Sequence, residues 1–488
     1  MTASPSDRTR RFLSRLAPGA TIDRAGDMRV ELTIGSNNPC DEIAAALATT
    51  LILRLDDLAP IVHLRGPAGR SAAIPRLGQG RLIDELANEH AGFQSVSSLT
   101  SEPASEPTLR FSFGQDRGIA VSSAGWRVAL GSPLAGEGNE FAAAFAGVLA
   151  ANEVLQAILR QFGVSVSPFR GVVSLWDLAL DGIDGPAVPA VLDLDRLAFA
   201  ACGGVASAAA WALSLRPLRG GPVAVDPDEI DRDSTNLNRH LTASMRNLGE
   251  SKATLLANLL DAAGARTIVD PASWSASRGR TAAMVLASPD NDAVRREVQL
   301  DLPRSIISAG TGDDGVYTVS RHNFVSGACL CCIARADLLD RDPLAAAARR
   351  LGVRVSILAP HVKSDEPLPP ELVAEMRIDD QTRLLLAGIA GSDLMAAMCG
   401  TIPIAPVGPA LSAPTLAAAP GVLAAVEVVK ELVEAPVPLR TSATSLITSV
   451  RTGPHGRWLR PRAKRIGCVC TDQLYLDRHH TKWRSDPT

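Results

Sequence analysis

The chain has 488 residues, of which 46% are hydrophobic and 21% charged, and its formal net charge is −3. This composition is that of a globular protein of two or three domains with ample core, and the near-neutral balance without a basic block argues against nucleic-acid binding. No apolar run reaches the ~18–20 uninterrupted residues of a membrane span, and eight cysteines in so long a chain do not suggest a disulfide framework, so a reducing cytoplasm is expected.

Arg10-Arg11-Phe12-Leu13 has paired arginines but no apolar stretch after them and reads as mature sequence. Met28–Ile34 alternates as a strand, and the turn residues 35–39 follow. Asp41 is a candidate cap for a helix running to about Arg54. Ile61–Leu64 is a short strand, Ser98–Pro107 a polar loop, and Gly118–Leu130 a hairpin around residues 122–125. Apolar helical runs are expected at 141–159 and 420–434. They share an octet: GVLAANEV at 147–154 and GVLAAVEV at 421–428 agree at seven of eight positions. Such a match points to two related halves.

Between those runs lies the most informative stretch. Leu197–Ala201 is an apolar strand that meets Gly203 and Gly204. A helix of small residues, Val205–Leu215, follows, and then a strand from Pro222 to Val225 ends at Asp226. The acid stands about 20 residues past the glycines, the spacing of a nucleotide-binding βαβ unit. Glycines let backbone approach a phosphate, the helix N-terminus favours its charge, and the acid is placed for ribose hydroxyls. Ala201 and Ala206 occupy positions where a dinucleotide fingerprint has glycine, so tight packing alone is the alternative. Further strands are expected at Ala282–Ala287 and Leu302–Ser308. The alternation implies an α/β fold with mainly parallel sheets and a ligand at the strands' carboxyl ends.

Lysine is rare, with five in the chain, so Lys252 inside Gly249-Glu250-Ser251-Lys252 is notable. Cys329-Leu-Cys331-Cys332 holds a C-x-x-C, and Cys468-Val-Cys470 a C-x-C. Cys399 stands alone in an apolar stretch, where a small core residue is the alternative to a nucleophile. Cys202 reads as packing, and Cys40 has no supporting pattern. Residues 360–370 look like a linker, 435–466 like terminal strands, and 474–488 like a frayed tail.

The ordered set Asp226-Pro-Asp228, Thr235-Asn236-Leu237-Asn238-Arg239-His240, Gly249–Lys252 and Asp290-Asn291 through Arg295 resembles the adenylating superfamily of ThiF, MoeB and the ubiquitin-activating enzymes. Thr235 replaces the family's serine and His240 its glutamine. The resemblance covers about residues 190–470. It implies two Rossmann-like adenylation halves: an inactive domain at 1–185 and an active one at 186–488, with a crossover and catalytic-cysteine insertion at about 333–420. It further implies ATP and Mg²⁺ as cofactors. Gly203, Gly204, Asp226, Asp228, Asn236, Arg239, Lys252, Asp290 and Asn291 would bind them, with Asp290 on the magnesium and Arg239 and Asp290 acting in catalysis. Cys399 would form a thioester. Cys329, Cys332, Cys468 and Cys470 would hold a structural Zn²⁺, with Cys331 the alternative if the shortened C-x-C pair does not close the site. One of Arg8, Arg10, Arg11 or Arg15 would reach the phosphates from the first half.

The expected function is ATP-dependent activation of the C-terminal glycine of a ubiquitin-like protein, with transfer to a conjugating enzyme. A homodimer stays open. The alternatives are a sulfur-carrier adenylyltransferase without the thioester, a nicotinamide oxidoreductase and a non-catalytic scaffold. The oxidoreductase leaves Asn236, Arg239, Lys252 and Asp290 without a role.

Overall fold

A computed structural model describes residues 28–35, 38–55, 61–67, 72–78, 80–90, 98–115, 117–161, 164–230, 236–312, 315–334, 348, 351–364, 367–377, 383, 413–433 and 444–484. Among them the chain forms two large sheets. The first contains β1 (Arg29–Ile34), β2 (Ile61–Arg65), β3 (Leu99–Thr100), β4 (Leu109–Phe113), β5 (Ile119–Ala124), β6 (Arg127–Leu130) and β7 (Gly171–Ser174), in the order β3-β2-β1-β4-β5-β6-β7. A small parallel pair, β8 (Leu192–Asp193) and β10 (Leu218–Arg219), stands apart. The second large sheet contains β9 (Leu197–Ala200), β11 (Val223–Val225), β12 (Ile268–Asp270), β13 (Met284–Ala287), β14 (Ser305–Thr311), β15 (Val316–Asn323), β16 (Thr444–Ser449) and β17 (Gly453–Pro461). Its order is β12-β11-β9-β13-β14-β15-β16-β17.

Counted along the chain within each sheet, both orders read third, second, first, fourth, fifth, sixth, seventh, and the second sheet adds an eighth strand at its edge. In both, the first five strands run parallel and the later ones antiparallel. The order reverses beside β1 in one sheet and beside β9 in the other, and such a switch opens a crevice at the carboxyl ends of the strands. Strands β9 (LAFA) and β13 (MVLA) are buried throughout, as short apolar runs covered on both faces must be.

The shared octets explain how the helices seat. Helix α1 (Pro39–Leu53) follows β1 and packs against α3 (Glu140–Gln161), with α2 (Leu82–His90) between them in the chain. Helix α4 (Gly204–Leu213) follows β9 and packs against the helix Pro414–Val433. A Cβ on Gly147 would lie 2.4 Å from the Ala44 carbonyl oxygen, and one on Gly421 the same distance from that of Val205. Each octet therefore supplies the glycine that lets its helix touch the leading helix of its own sheet. The octet helices also join the two sheets. Asn152 and Gln156 of α3 donate to the Val450 carbonyl, just past β16, at 3.0 and 2.6 Å. Lys430 of the helix Pro414–Val433, at the position matching Gln156, lies 5.9 Å over the Trp176 ring, just past β7. A single apolar core runs through both sheets.

The mainly parallel α/β reading holds, and several local expectations are corrected. Asn38, not Asp41, caps α1, accepting from Cys40 N–H at 3.0 Å. Helix α3 is long and apolar enough to cross a membrane by composition, yet 94% of its apolar window is buried in the core. Pro360 lies inside a helix, Val355–Ser364, rather than in a linker. Residues expected to fray form the helix Gln473–Trp483, capped by Asp472 and pinned where Trp483 Nε1 donates to the Leu302 carbonyl at 2.8 Å.

Candidate active site

The edge at β11, β9 and β13 collects most of the sequence motifs. These three strands are neighbours, and their carboxyl ends lead into Asp226, the turn at 201–204, and Ser288–Asp290. The turn is tight. Ala201 takes a left-handed conformation (φ +72°) that favours glycine, and Ser288 Oγ donates to its carbonyl at 3.2 Å. Gly204 admits no side chain: a Cβ would lie 2.9 Å from Arg239 Cβ and 3.1 Å from the Arg239 carbonyl oxygen. At Gly203 a Cβ would meet no described atom within 4 Å, so that side of the turn is open.

The two leading helices differ at their N-termini. Helix α1 is closed by the Asn38 side chain, with Asp41 and Glu42 buried in its first turn. Helix α4 has Gly203 as its cap, with no side-chain cap bond and no acid in the first turn. The first backbone N–H groups of a helix attract anions. Helix α1 answers that attraction with its own carboxylates and α4 does not, so the second sheet carries the edge suited to a phosphate.

Buried Asp226 braces the turn. One oxygen accepts from Cys202 N–H at 2.6 Å and the other from Asp228 N–H at 2.9 Å. Burial pushes its pKa up from the usual carboxylate value, and the two N–H donors oppose that shift. Asp228 pairs with Lys252 at 2.9 Å. Lys252 starts the helix Lys252–Ala262, α6, whose cap is the Ser251 side chain. Asn236 starts the short helix Asn236–Arg239, α5, and its side chain is not among those described. Asp290 is exposed just beyond β13. Asn291 caps the helix Asp292–Leu300, α7, by accepting from Ala293 N–H at 2.7 Å, so local structure accounts for it. Arg295, the arginine of the same motif, turns back to Ser308 Oγ at 2.5 Å.

Two residues outside the expected set hold the segment around Arg239. His240 is buried; its Nε2 lies 2.9 Å from the Cys202 carbonyl and its Nδ1 2.9 Å from Thr242 Oγ1. A carbonyl only accepts, so Nε2 carries the proton. Burial drives the His240 pKa down to about 3. Arg54, just past α1, reaches across from the first sheet and donates to the carbonyls of Leu237, His240, Leu241 and Ala243 at 2.8, 2.8, 2.9 and 3.3 Å. Nothing in its sequence surroundings marks Arg54, because its partners lie more than 180 residues away. Arg8, Arg10, Arg11 and Arg15, expected to make the cross-half contact, lie outside the described residues, as do Thr235 and Cys399.

A hollow opens at the corresponding edge of the first sheet, beside Arg65, Arg110 and Arg117. There buried Glu31 pairs with Arg65 at 3.9 Å and Arg110 at 3.5 Å, one carboxylate against the three guanidiniums.

A second cluster forms on the second sheet, beside the start of β14 and the end of β15. Cys329, Cys332, Cys468 and Cys470 bring their Sγ atoms within 4.8 Å of one another. Three separations are 3.9, 3.5 and 3.5 Å. A tetrahedral four-thiolate Zn²⁺ site with ~2.3 Å bonds has sulfurs about 3.8 Å apart, so this donor set fits. Cys331 is adjacent but not one of the four, its Sγ 3.9 Å from the Arg296 carbonyl. The C-x-C pair reaches the cluster because Val469–Thr471 forms a tight helical turn.

No protein-family profile matches the chain. A Sinorhizobium fredii protein, uncharacterized protein y4jF, is 25% identical over 469 residues, covering 90% of this chain and 87% of that one. Among solved structures, E. coli MccB is similar over 73% of this chain and 96% of its own, at 13% identity and a TM-score of 0.35. E. coli MccB with MccA is similar over 57% of this chain and 68% of its own, at 14% identity and a TM-score of 0.36. The form with ATP is similar over 72% and 97%, at 12% identity and a TM-score of 0.34. These scores describe a partial likeness of fold and nothing more.

Proposed function

We propose that the chain is an ATP-dependent adenylating enzyme that activates the C-terminal carboxylate of a protein or peptide. One observation supports this above the others: the uncapped start of α4, the Asp226-braced turn, the Asp228–Lys252 pair, the Arg239 segment and Asp290 gather at one edge of a sheet, beside its switch point. Residues 186–488 would form the active half and 1–185 a scaffold half with the same strand order.

In this reading a carboxylate oxygen attacks the α-phosphorus of ATP and pyrophosphate departs. Lys252 and Arg239 balance phosphate charge, the N–H groups at the start of α4 receive an oxygen, and alignment lowers the barrier. Gly203, Gly204, Asn236 and Asp228 line the approach. Asp226 acts through the turn it braces, leaving ribose contact to its remaining lone pairs. Asp290 would hold Mg²⁺, a cation that prefers carboxylate oxygen. Zn²⁺ would sit among Cys329, Cys332, Cys468 and Cys470, tying the C-terminal segment to the short helix Leu330–Ile333.

The partner we propose is a ubiquitin-like protein ending in glycine, with the acyl group passing to Cys399 as a thioester and then to a conjugating enzyme. The support is one of chemistry. Burial pushes the Cys40 thiol up to about 12 and the Cys202 thiol well above its usual value, and Cys331 is buried beside the four-cysteine cluster. None of these suits a nucleophile, which leaves Cys399. The test is intact mass under non-reducing conditions with Mg-ATP and a ubiquitin-like protein from the same cells. A thiol-sensitive adduct lost in Cys399→Ala supports the full reading. Pyrophosphate release that needs Asp290 and Arg239 but leaves no adduct reduces it to adenylation alone, as in a sulfur-carrier adenylyltransferase. No release overturns it.

A further inference from the structure

We propose that Arg54 is a positioning residue for Arg239, and that the scaffold half serves the site of the second half through this guanidinium; the inference rests on the adenylation reading above. Four carbonyls, from Leu237, His240, Leu241 and Ala243, converge on the two terminal nitrogens of one buried side chain. They straddle Arg239 in sequence. A planar fork of donors can bridge separate acceptors in a fixed geometry, which a single ammonium cannot. The acceptors include the end of α5, where a cation meets the negative end of the helix.

The segment is thereby held on two sides. Arg54 holds it from the first sheet. From the other side Gly204 presses against the Cβ and carbonyl of Arg239, Ser207 Oγ accepts from Leu241 N–H at 3.0 Å, and His240 reaches the Cys202 carbonyl. Arg76 adds an outer bond to the Leu241 carbonyl at 3.2 Å and is itself anchored by Glu89 at 3.3 Å. Helix α5 has only four residues and its backbone lies outside both sheets. Its placement against the α4 turn therefore depends on these side chains together with the apolar seat of Leu237 beside Ile230 and Leu255. Loss of the fork would let Arg239 drift from the phosphates while the rest of the nucleotide seat stays intact.

The test uses the full chain and Mg-ATP as the probe, with affinity measured by calorimetry and adenosine as the phosphate-free control. R54K is expected to bind Mg-ATP roughly tenfold more weakly or worse, because small misplacements of a charged group are costly. Adenosine binding should be unchanged, and in an R239A background R54K should add less than about twofold, the non-additivity of groups acting in series. R54K that binds Mg-ATP like the wild type overturns the inference. So does R54K that costs the same factor with or without Arg239, or that weakens adenosine equally. If R54K does not fold, R76Q removes the outer bond and its Glu89 pair while leaving the Arg54 fork in place. It should weaken Mg-ATP about two- to threefold in an Arg239-dependent way, and a folded R76Q with wild-type affinity overturns the inference. A wild-type chain that binds no Mg-ATP overturns the adenylation reading itself, whereas wild-type binding with an indifferent Arg54 overturns only this step.

Discussion

The backbone N–H of Cys202 donates to Asp226 at 2.6 Å across the gap between two parallel strands. The acid past β11 thus braces the turn past β9, and its second oxygen holds Asp228. In the proposed reading this structural brace is also the acid placed for ribose, so its substitution should act on both stability and binding.

Asp226→Asn places an amide donor where one of two N–H groups now finds an acceptor. The buried, unmatched pair should cost about 1–3 kcal/mol. Chemical denaturation reads this as a lower midpoint with an unchanged slope. A midpoint equal to the wild type would show that the turn stands without its brace.

The two glycines should separate. Gly203→Ala places a methyl in open space, so its stability cost should be about 1 kcal/mol or less, as for a cap exchange, while the methyl intrudes on the side left for phosphate. Gly204→Ala drives a methyl into the Arg239 backbone and Ala417, 3.2 Å away, and should cost roughly 1–3 kcal/mol as overpacking. Thermal melts and Mg-ATP titrations of both variants check this. Equal melting points would mean that the Arg239 segment yields freely.

His240 gives a pH dependence of definite sign. Its folded pKa lies near 3 and its unfolded value near 6.5, so between these values the unfolded chain binds the extra proton. Stability present above pH 6.5 is therefore lost on acidification, by about 1.4 kcal/mol per unit for this group. His322, whose pKa burial lowers to about 4, acts in the same direction. At pH 5 the His240 share is about 2 kcal/mol. His240→Gln should flatten the fall in melting point between pH 7 and 5 relative to the wild type. An identical slope would place the acid sensitivity elsewhere.

The four-cysteine cluster should hold one metal ion per chain. Elemental analysis of the purified protein is expected to find about one equivalent of zinc, and Cys470→Ser should lose it with a drop in melting point. Retention of zinc in that variant, with loss in Cys331→Ser, would exchange the assigned ligands.

Much of the local architecture is legible in the sequence because it rests on local rules. The glycine pair, the small-residue helix and the apolar runs mark the β9–α4–β11 unit, and the cysteine spacing marks a cluster. The expected frayed tail failed because its helix is held by tertiary anchors, among them Trp483 on Leu302 and His479 against Phe324. Pro360 misled because proline is disfavoured in a helix interior, where it removes an N–H and crowds the preceding turn, yet it is the sixth residue of the helix Val355–Ser364, whose Leu358 is buried.

By itself the sequence determined the α/β alternation, the motif order and the octet repeat, since periodicity and turn chemistry act over a few residues. Only the tertiary structure decided that both sheets share one strand order, that α4 rather than α1 begins with an open N-terminus, and that Arg54 holds the Arg239 segment. Those facts depend on contacts between residues far apart in the chain, where burial and hydrogen-bond geometry, not spacing, select the partner.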